Sequence, residues 1–135
     1  MTIVVDASVA LKWVLLEPGS DAAAKLRDED LLAPSLWRLE VASALWKRAK
    51  RGDITVPQAL ERMDALAQAP VATSPLEDDL SVALALAATL DHPVYDCLYL
   101  ALAARNDTHV VTADVRFWRV AQANPAWSTR VRLLG

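Results

Sequence analysis

An α/β fold, with a parallel sheet between layers of helices, is what three features of this sequence predict. The chain opens on Thr2-Ile3-Val4-Val5, four β-branched residues with no polar alternation after Thr2. That is the pattern of a strand buried on both faces. Strand-like and helix-like stretches then alternate along the whole length, as they do when helices cross between parallel strands. Hydrophobic residues make up 54% of the 135 and the mean hydropathy is +0.21. That is rich enough for helices to press on both faces of a sheet or on a partner. The length suits one domain over residues 1–135 with a substantial core.

The elements follow in order. The first strand runs from Thr2 to Asp6, and a short helix from Ala7 to Leu16 is stopped by Glu17-Pro18-Gly19. Ser20 is expected to cap a second helix reaching Arg27. Leu31-Leu32-Ala33 reads as a short buried strand, and Pro34 suits the first turn of a long helix ending near Lys50, before Gly52. Val56-Pro57-Gln58 opens a helix to about Ala69, and Pro70 to Thr73 is a third strand. Leu76 to Leu90 is a strongly apolar helix broken by Asp91-His92-Pro93, followed by a helix from Tyr95 to Arg105. His109 to Thr112 is a fourth strand, Val115 to Gln122 a helix, and Val131 to Leu134 an edge strand.

Composition narrows the chemistry. A net charge of −3 gives no global attraction for nucleic acid, so such binding needs a local basic patch or a metal. One cysteine excludes an internal disulfide framework and is compatible with the cytoplasm. No apolar run is long enough to span a bilayer, and no basic segment precedes Asp6 to make a secretory signal. A cytoplasmic protein with no membrane partner is therefore expected.

Asp6 ends the first strand, at the carboxyl edge where open α/β sheets bind their ligands. Alone it reads equally as an N-cap of the next helix. Glu40 lies within the long helix, between Leu36 and Ala44 on the same face and beside Trp37 and Val41. A carboxylate on an apolar stripe needs a partner, whether a salt bridge or a shared ion. Asp96 stands near the start of its helix and Asp114 just after the fourth strand, each a candidate cap or a candidate site acid. Carboxylates gathered at one edge would repel one another strongly, and a hard divalent cation resolves that repulsion. Bound there, such an ion would polarise a phosphodiester and activate water.

The chain resembles the PIN-domain ribonucleases, and among them the VapC-type toxins of bacterial toxin–antitoxin pairs. Four stretches in this order carry the resemblance: Ile3-Val4-Val5-Asp6-Ala7-Ser8; Ala33-Pro34-Ser35-Leu36-Trp37-Arg38-Leu39-Glu40-Val41-Ala42-Ser43-Ala44-Leu45; Tyr95-Asp96-Cys97-Leu98-Tyr99-Leu100-Ala101-Leu102-Ala103; and Val111-Thr112-Ala113-Asp114-Val115-Arg116-Phe117. The family's acidic quartet falls on Asp6, Glu40, Asp96 and Asp114, and its supporting polar groups match Ser8 and Thr112. The resemblance implies a three-layer α/β/α domain with a parallel sheet ordered 3-2-1-4-5. It also implies Mg²⁺ or Mn²⁺ dependence, endonucleolytic RNA cleavage, a homodimer and a cognate antitoxin.

Other features point less sharply. Lys12 and Arg116, each near a site acid, are candidates for holding a phosphate or pairing with the quartet. The basic run Lys47-Arg48-Ala49-Lys50-Arg51 reads as a solvated helix end or as an RNA-phosphate contact. Cys97 reads as a small core residue, and His92 and His109, without metal-ligand spacing, as structural. The tryptophans, Trp13, Trp37 and Trp46 among them, serve either core or interface. A dehalogenase-type phosphatase wants a second Asp where Ser8 stands, and a receiver domain wants adjacent acids and a late lysine; this chain has neither. A non-catalytic RNA- or protein-binding module on the same fold remains the alternative.

Overall fold

The computed structural model describes residues 2–135. The strands are β1 (Thr2–Val5), β2 (Asp30–Pro34), β3 (Val71–Ser74), β4 (Val110–Thr112) and β5 (Val131–Leu133). The helices are α1 (Ala7–Leu11), α2 (Ser20–Leu26), α3 (Trp37–Lys50), α4 (Val56–Ala65), α5 (Leu80–Leu90), α6 (Val94–Arg105) and α7 (Val115–Gln122). The strands form one sheet ordered β3-β2-β1-β4-β5, with every pairing parallel. Val4 pairs with Leu32 on one side and Val110 on the other, so β1 is central, as its unbroken β-branched run predicts. The three-layer α/β/α fold and the 3-2-1-4-5 order both match the expectation.

Both faces of the sheet are covered. Val4, Trp37, Val41, Leu45, Leu98, Leu100, Leu102 and Phe117 belong to one buried cluster, and Val5, Val9, Ala23, Leu31 and Val111 to a second. Consecutive strand residues point to opposite faces, which is why Val4 and Val5 fall in different clusters. The chain builds β1, β2 and β3 to one side, then returns to lay β4 and β5 on the other. The order therefore reverses between β1 and β4, where such sheets open a crevice at their carboxyl ends.

Several boundaries differ from the sequence reading, each for a tertiary reason. The first helix stops at Leu11 rather than Leu16, and the chain continues in turns that bury Leu15. There the half-buried indole of Trp13 donates to the Ala23 carbonyl at 2.8 Å, tying the turn to α2. Ser20 does not cap α2. Gly19 holds that place at φ +92°, while the Ser20 hydroxyl donates to the Leu15 carbonyl and accepts from the Glu17 amide, both at 3.0 Å. Pro34 ends β2 instead of opening α3, paired with Ser74 beyond the last β2 residue that pairs with β1. No ladder bond to β1 is lost to its missing N–H there. The helix from Val56 gives way at Leu66 to a 3-10 turn, and α5 is preceded by another over Leu76–Asp79.

Of the tryptophans in question, Trp37 is buried in the core and Trp46 is exposed on α3. No helix among the described residues is long and apolar enough to cross a membrane.

Candidate active site

The site is built on the last turn of β1 and the first of α1. Asp6 leaves the strand with extended backbone, and its carboxylate accepts the amides of Ser8 and Val9 at 3.1 and 3.3 Å. The cap and the site acid are thus one residue, not alternatives. The Ser8 hydroxyl also donates to Oδ1 of Asp6, and the Thr112 hydroxyl donates to Oδ2. Each hydroxyl is itself positioned from β4's end: Ser8 Oγ accepts from the Ala113 amide at 2.9 Å and Thr112 Oγ1 from the Asp114 amide at 3.0 Å. The network stitches the ends of two adjacent strands together and fixes one carboxylate with both oxygens oriented.

The remaining acids reach the same place from three other elements. A cavity of about 250 Å³ is lined by Asp6, Ser8, Glu40, Asp96, Tyr99 and Asp114, with Ala7, Leu11 and Ala44 as its apolar wall. Asp114 caps α7, accepting the amides of Arg116 and Phe117 at 2.9 and 3.3 Å. Asp96 is not a cap, since Pro93 holds that position on α6. Its Oδ2 lies 2.6 Å from Nε2 of His92, a buried ring stacked on Phe117 with 5.4 Å between centroids. Glu40, in the first turn of α3, accepts a 2.5 Å hydrogen bond from the hydroxyl of Tyr99, which is 1% exposed.

Tyr99 lines the cavity and His92 contacts one of its acids, roles that the sequence reading did not assign. Their spacing was visible, because His92 precedes Asp96 by four residues and Tyr99 follows it by three. The offset of three puts Tyr99 on the same helical face as Asp96, whereas His92 precedes α6 and its Pro93 cap. What the sequence did not disclose is that Tyr99 crosses to a different helix to meet Glu40.

Burial and mutual repulsion set the protonation of the pocket. Burial pushes the Asp6 carboxyl up to about 7, against the hydrogen bonds of Ser8, Thr112 and the Val9 amide, and the charge of Asp96 adds to the rise. Burial also raises Glu40, opposed by the Tyr99 hydroxyl and reinforced by Asp96. Asp96 is raised by its own burial against the bond from His92, with Asp114 raising it further and Arg116 opposing. The charge of Asp96 thus acts on both Asp6 and Glu40. Such a pocket holds protons or a cation.

Among the described residues, no three carboxylate, imidazole or thiol side chains already converge as a ligand cage. The donor chemistry nevertheless suits a hard divalent ion. Every polar group on the cavity wall is an oxygen donor, and the cavity has room for coordinated water. Magnesium asks for little more, since it keeps several waters and usually takes only one or two carboxylates.

One expectation needs correction. Lys12 does not face the quartet: its ammonium lies 3.1 Å from Glu17 Oε1 and donates to the Pro18 carbonyl at 2.7 Å. Because α1 ends at Leu11, Lys12 belongs to the turn that folds back on Glu17 and Pro18. Arg116 is exposed and close enough to Asp96 for its charge to act there. Cys97 is a buried core thiol pushed up to about 11 by burial and the neighbouring Asp96, no nucleophile at neutral pH.

Comparison with known proteins agrees with this architecture. The family described as PIN domain matches residues 3–123. The chain is 33% identical over 115 residues to proteins named Ribonuclease VapC12 from Mycobacterium tuberculosis strains CDC 1551 / Oshkosh and ATCC 25618 / H37Rv, covering 84% of this chain and 88% of each relative. Among solved structures it is similar to PAE2754 of Pyrobaculum aerophilum, with a TM-score of 0.68 at 24% identity over 89% of this chain and 79% of that one. It shares its fold equally, at a TM-score of 0.68 and 13% identity over 100% of both chains, with VapBC2 from Rickettsia felis bound to a promoter DNA fragment. A family match over residues 3–123, which takes in β2, β3, β4 and nearly all of β1, and a relative alike along most of its length give one conclusion: the chain belongs to the PIN-domain family.

Proposed function

We propose that this chain is a metal-dependent endoribonuclease that hydrolyses RNA phosphodiester bonds and acts as the toxin of a toxin–antitoxin pair. The observation that carries the reading is that Asp6, Glu40, Asp96 and Asp114 all line one cavity at the switch point of a PIN-domain sheet. Relatives named as ribonucleases support RNA as the substrate. Mg²⁺ or Mn²⁺ held by Asp6, Asp96 and Asp114, with Glu40, would polarise the phosphodiester and lower the pKa of a bound water. The protein's own contribution is orientation. Ser8 and Thr112 hold Asp6, His92 holds Asp96, and Tyr99 holds Glu40. Arg116, exposed and near enough for its charge to act on Asp96, would take a phosphate oxygen.

Cleavage of a defined RNA by the purified chain, with and without Mg²⁺, tests the reading, with Asp6→Asn as control. Metal-dependent cleavage lost in the variant is the expected result. Cleavage at the wild-type rate by Asp6→Asn overturns the site assignment.

The partner part of the reading has its own support. One of the solved structures similar in fold is a VapBC complex. On this chain Trp46, Val56 and Leu60 are exposed around an apolar groove between α3 and α4. The homodimer belongs to the same proposal, supported by Leu80, Val82 and Leu84 left exposed on α5, and a toxin acting on RNA would work in the cytoplasm. Expression of the chain alone, against co-expression with the neighbouring reading frame, tests the toxin role. Harmless solitary expression with no copurifying small protein sinks the toxin half and leaves the nuclease half to its own test.

A further inference from the structure

The acidic cavity does not end at Glu40. A second groove of about 430 Å³ continues from it, sharing Glu40 and Ala44 and lined further by Leu36, Leu39, Ser43, Lys47 and Tyr95. Glu40, Ser43, Ala44 and Lys47 stand at i, i+3, i+4 and i+7 on α3, one face over two helical turns. At 1.5 Å per residue, Lys47 lies about 10 Å along the helix from Glu40. The groove thus begins at the site acids and ends at a cation.

The basic run at the end of α3 separates in the structure. Arg48 pairs with Glu17 at 2.8 Å, Arg51 pairs with Asp53 at 2.7 Å, and Lys50 sits over the Trp46 ring at 5.0 Å from its centroid. Lys47 is exposed, lines the groove, and has no ion pair among the described residues. Across from it, Tyr95 is 60% exposed, while its neighbour in sequence, Asp96, faces the acidic cavity. An exposed ring and a free ammonium beside a phosphodiester-cutting pocket match the two parts of a nucleotide, base and phosphate.

We propose that this groove is a subsite for one nucleotide of single-stranded RNA flanking the scissile bond, with Tyr95 stacking on the base and Lys47 holding a phosphate. The inference rests on the ribonuclease reading and deepens it by naming the residues that would hold the strand next to the scissile bond, where a base must be unpaired to lie on an exposed ring. Leu36 and Leu39 give the base an apolar floor beside the Tyr95 ring.

The test uses the full chain with Mg²⁺ and two oligoribonucleotides of one sequence, single-stranded and annealed to its complement. Tyr95→Ala is expected to raise KM for the single strand roughly tenfold with kcat little changed, and Tyr95→Phe to stay near wild type. Lys47→Ala is expected to raise KM and to lower the slope of log affinity against log salt by about one. Wild type should prefer the single strand. Circular dichroism melting confirms that each variant is folded, as expected for exposed positions. Wild-type cleavage with unchanged KM in both alanine variants overturns the subsite and leaves the nuclease standing. No cleavage by wild type overturns both. If Tyr95→Phe fails as badly as Tyr95→Ala, the hydroxyl matters rather than the ring and the stacking assignment falls. If Tyr95→Ala weakens capture of a protein partner but leaves RNA kinetics alone, the groove is a protein-docking surface instead.

Discussion

Burial gives Asp6 a proton affinity unlike that of an ordinary aspartate, and that has a consequence for stability. Its carboxyl sits at about 7 in the folded chain against 3.8 when exposed, so between those values the folded state holds a proton that the unfolded state releases. The resulting stabilisation is complete below the unfolded value and is lost as the pH rises through the folded one. Metal-free protein should therefore lose stability progressively between pH 4 and 7, on the order of a few kcal/mol, read as a falling melting temperature. In Asp6→Asn that trend should flatten, with stability at neutral pH equal to or above wild type and RNA cleavage abolished. A steep trend surviving in Asp6→Asn, measured by melting across the pH series, would assign the effect to another group. Tyr99 offers a second test at this scale. Tyr99→Phe removes the donor to Glu40 and should cost about 1 to 3 kcal/mol. It should also raise the Glu40 carboxyl further, moving the acid limb of the pH–rate profile to higher pH. An unmoved profile separates Tyr99 from the chemistry.

Among the elements, α4 depends least on the core. None of its residues is buried, and its start is held by a capping box in which Thr55 and Gln58 exchange hydrogen bonds at 3.1 and 2.8 Å. Thr55→Ala should weaken this helix by about 1 kcal/mol. The loss should appear as faster amide exchange confined to α4, with little change in the global melt, because an element with few buried contacts opens on its own. A uniform loss of protection across the sheet would show that α4 is part of the cooperative core. The same scale explains Lys12. An uninterrupted helix to Leu16 would have carried it along a different face, but termination at Leu11 turns it onto Glu17, where Arg48 of α3 also lands. Against the penalty of partial burial, hydrogen bonds from Arg48 and Lys12 hold Glu17 below its usual range, so the cluster is an ionised clamp between α1 and α3.

Over the whole molecule, a chain of net charge −3 with four acids lining its cleft gives a polyanion no global attraction, so the proposed RNA binding would rest on local cations and metal. Arg116→Ala is expected to reduce RNA cleavage more than Arg62→Ala, and cleavage by wild type to weaken as salt rises. Equal effects from the two substitutions would mean that the substrate path misses α7. Mg²⁺ should raise the melting temperature of wild type at neutral pH and leave Asp6→Asn nearly unmoved, since a bound cation replaces the protons that the crowded carboxylates otherwise require.

The sequence by itself determined the strand–helix alternation, the central place of β1, and the four acids as candidates, because strand periodicity and carboxylate placement are local properties of the chain. It also contained the order of the sheet, though only through resemblance to a family, since pairing between distant strands leaves no local trace. Tertiary structure alone decided the rest. That Asp6 both caps and lines the cavity, that Tyr99 holds Glu40 and His92 holds Asp96, and that Lys47 is left free while Arg48 and Arg51 are paired, all depend on side chains from separate elements arriving at one point. Helix ends were decided there as well. The turn after Leu11 and the placement of Pro34 in β2 follow from packing and pairing between elements, which outweigh local propensity whenever the two disagree.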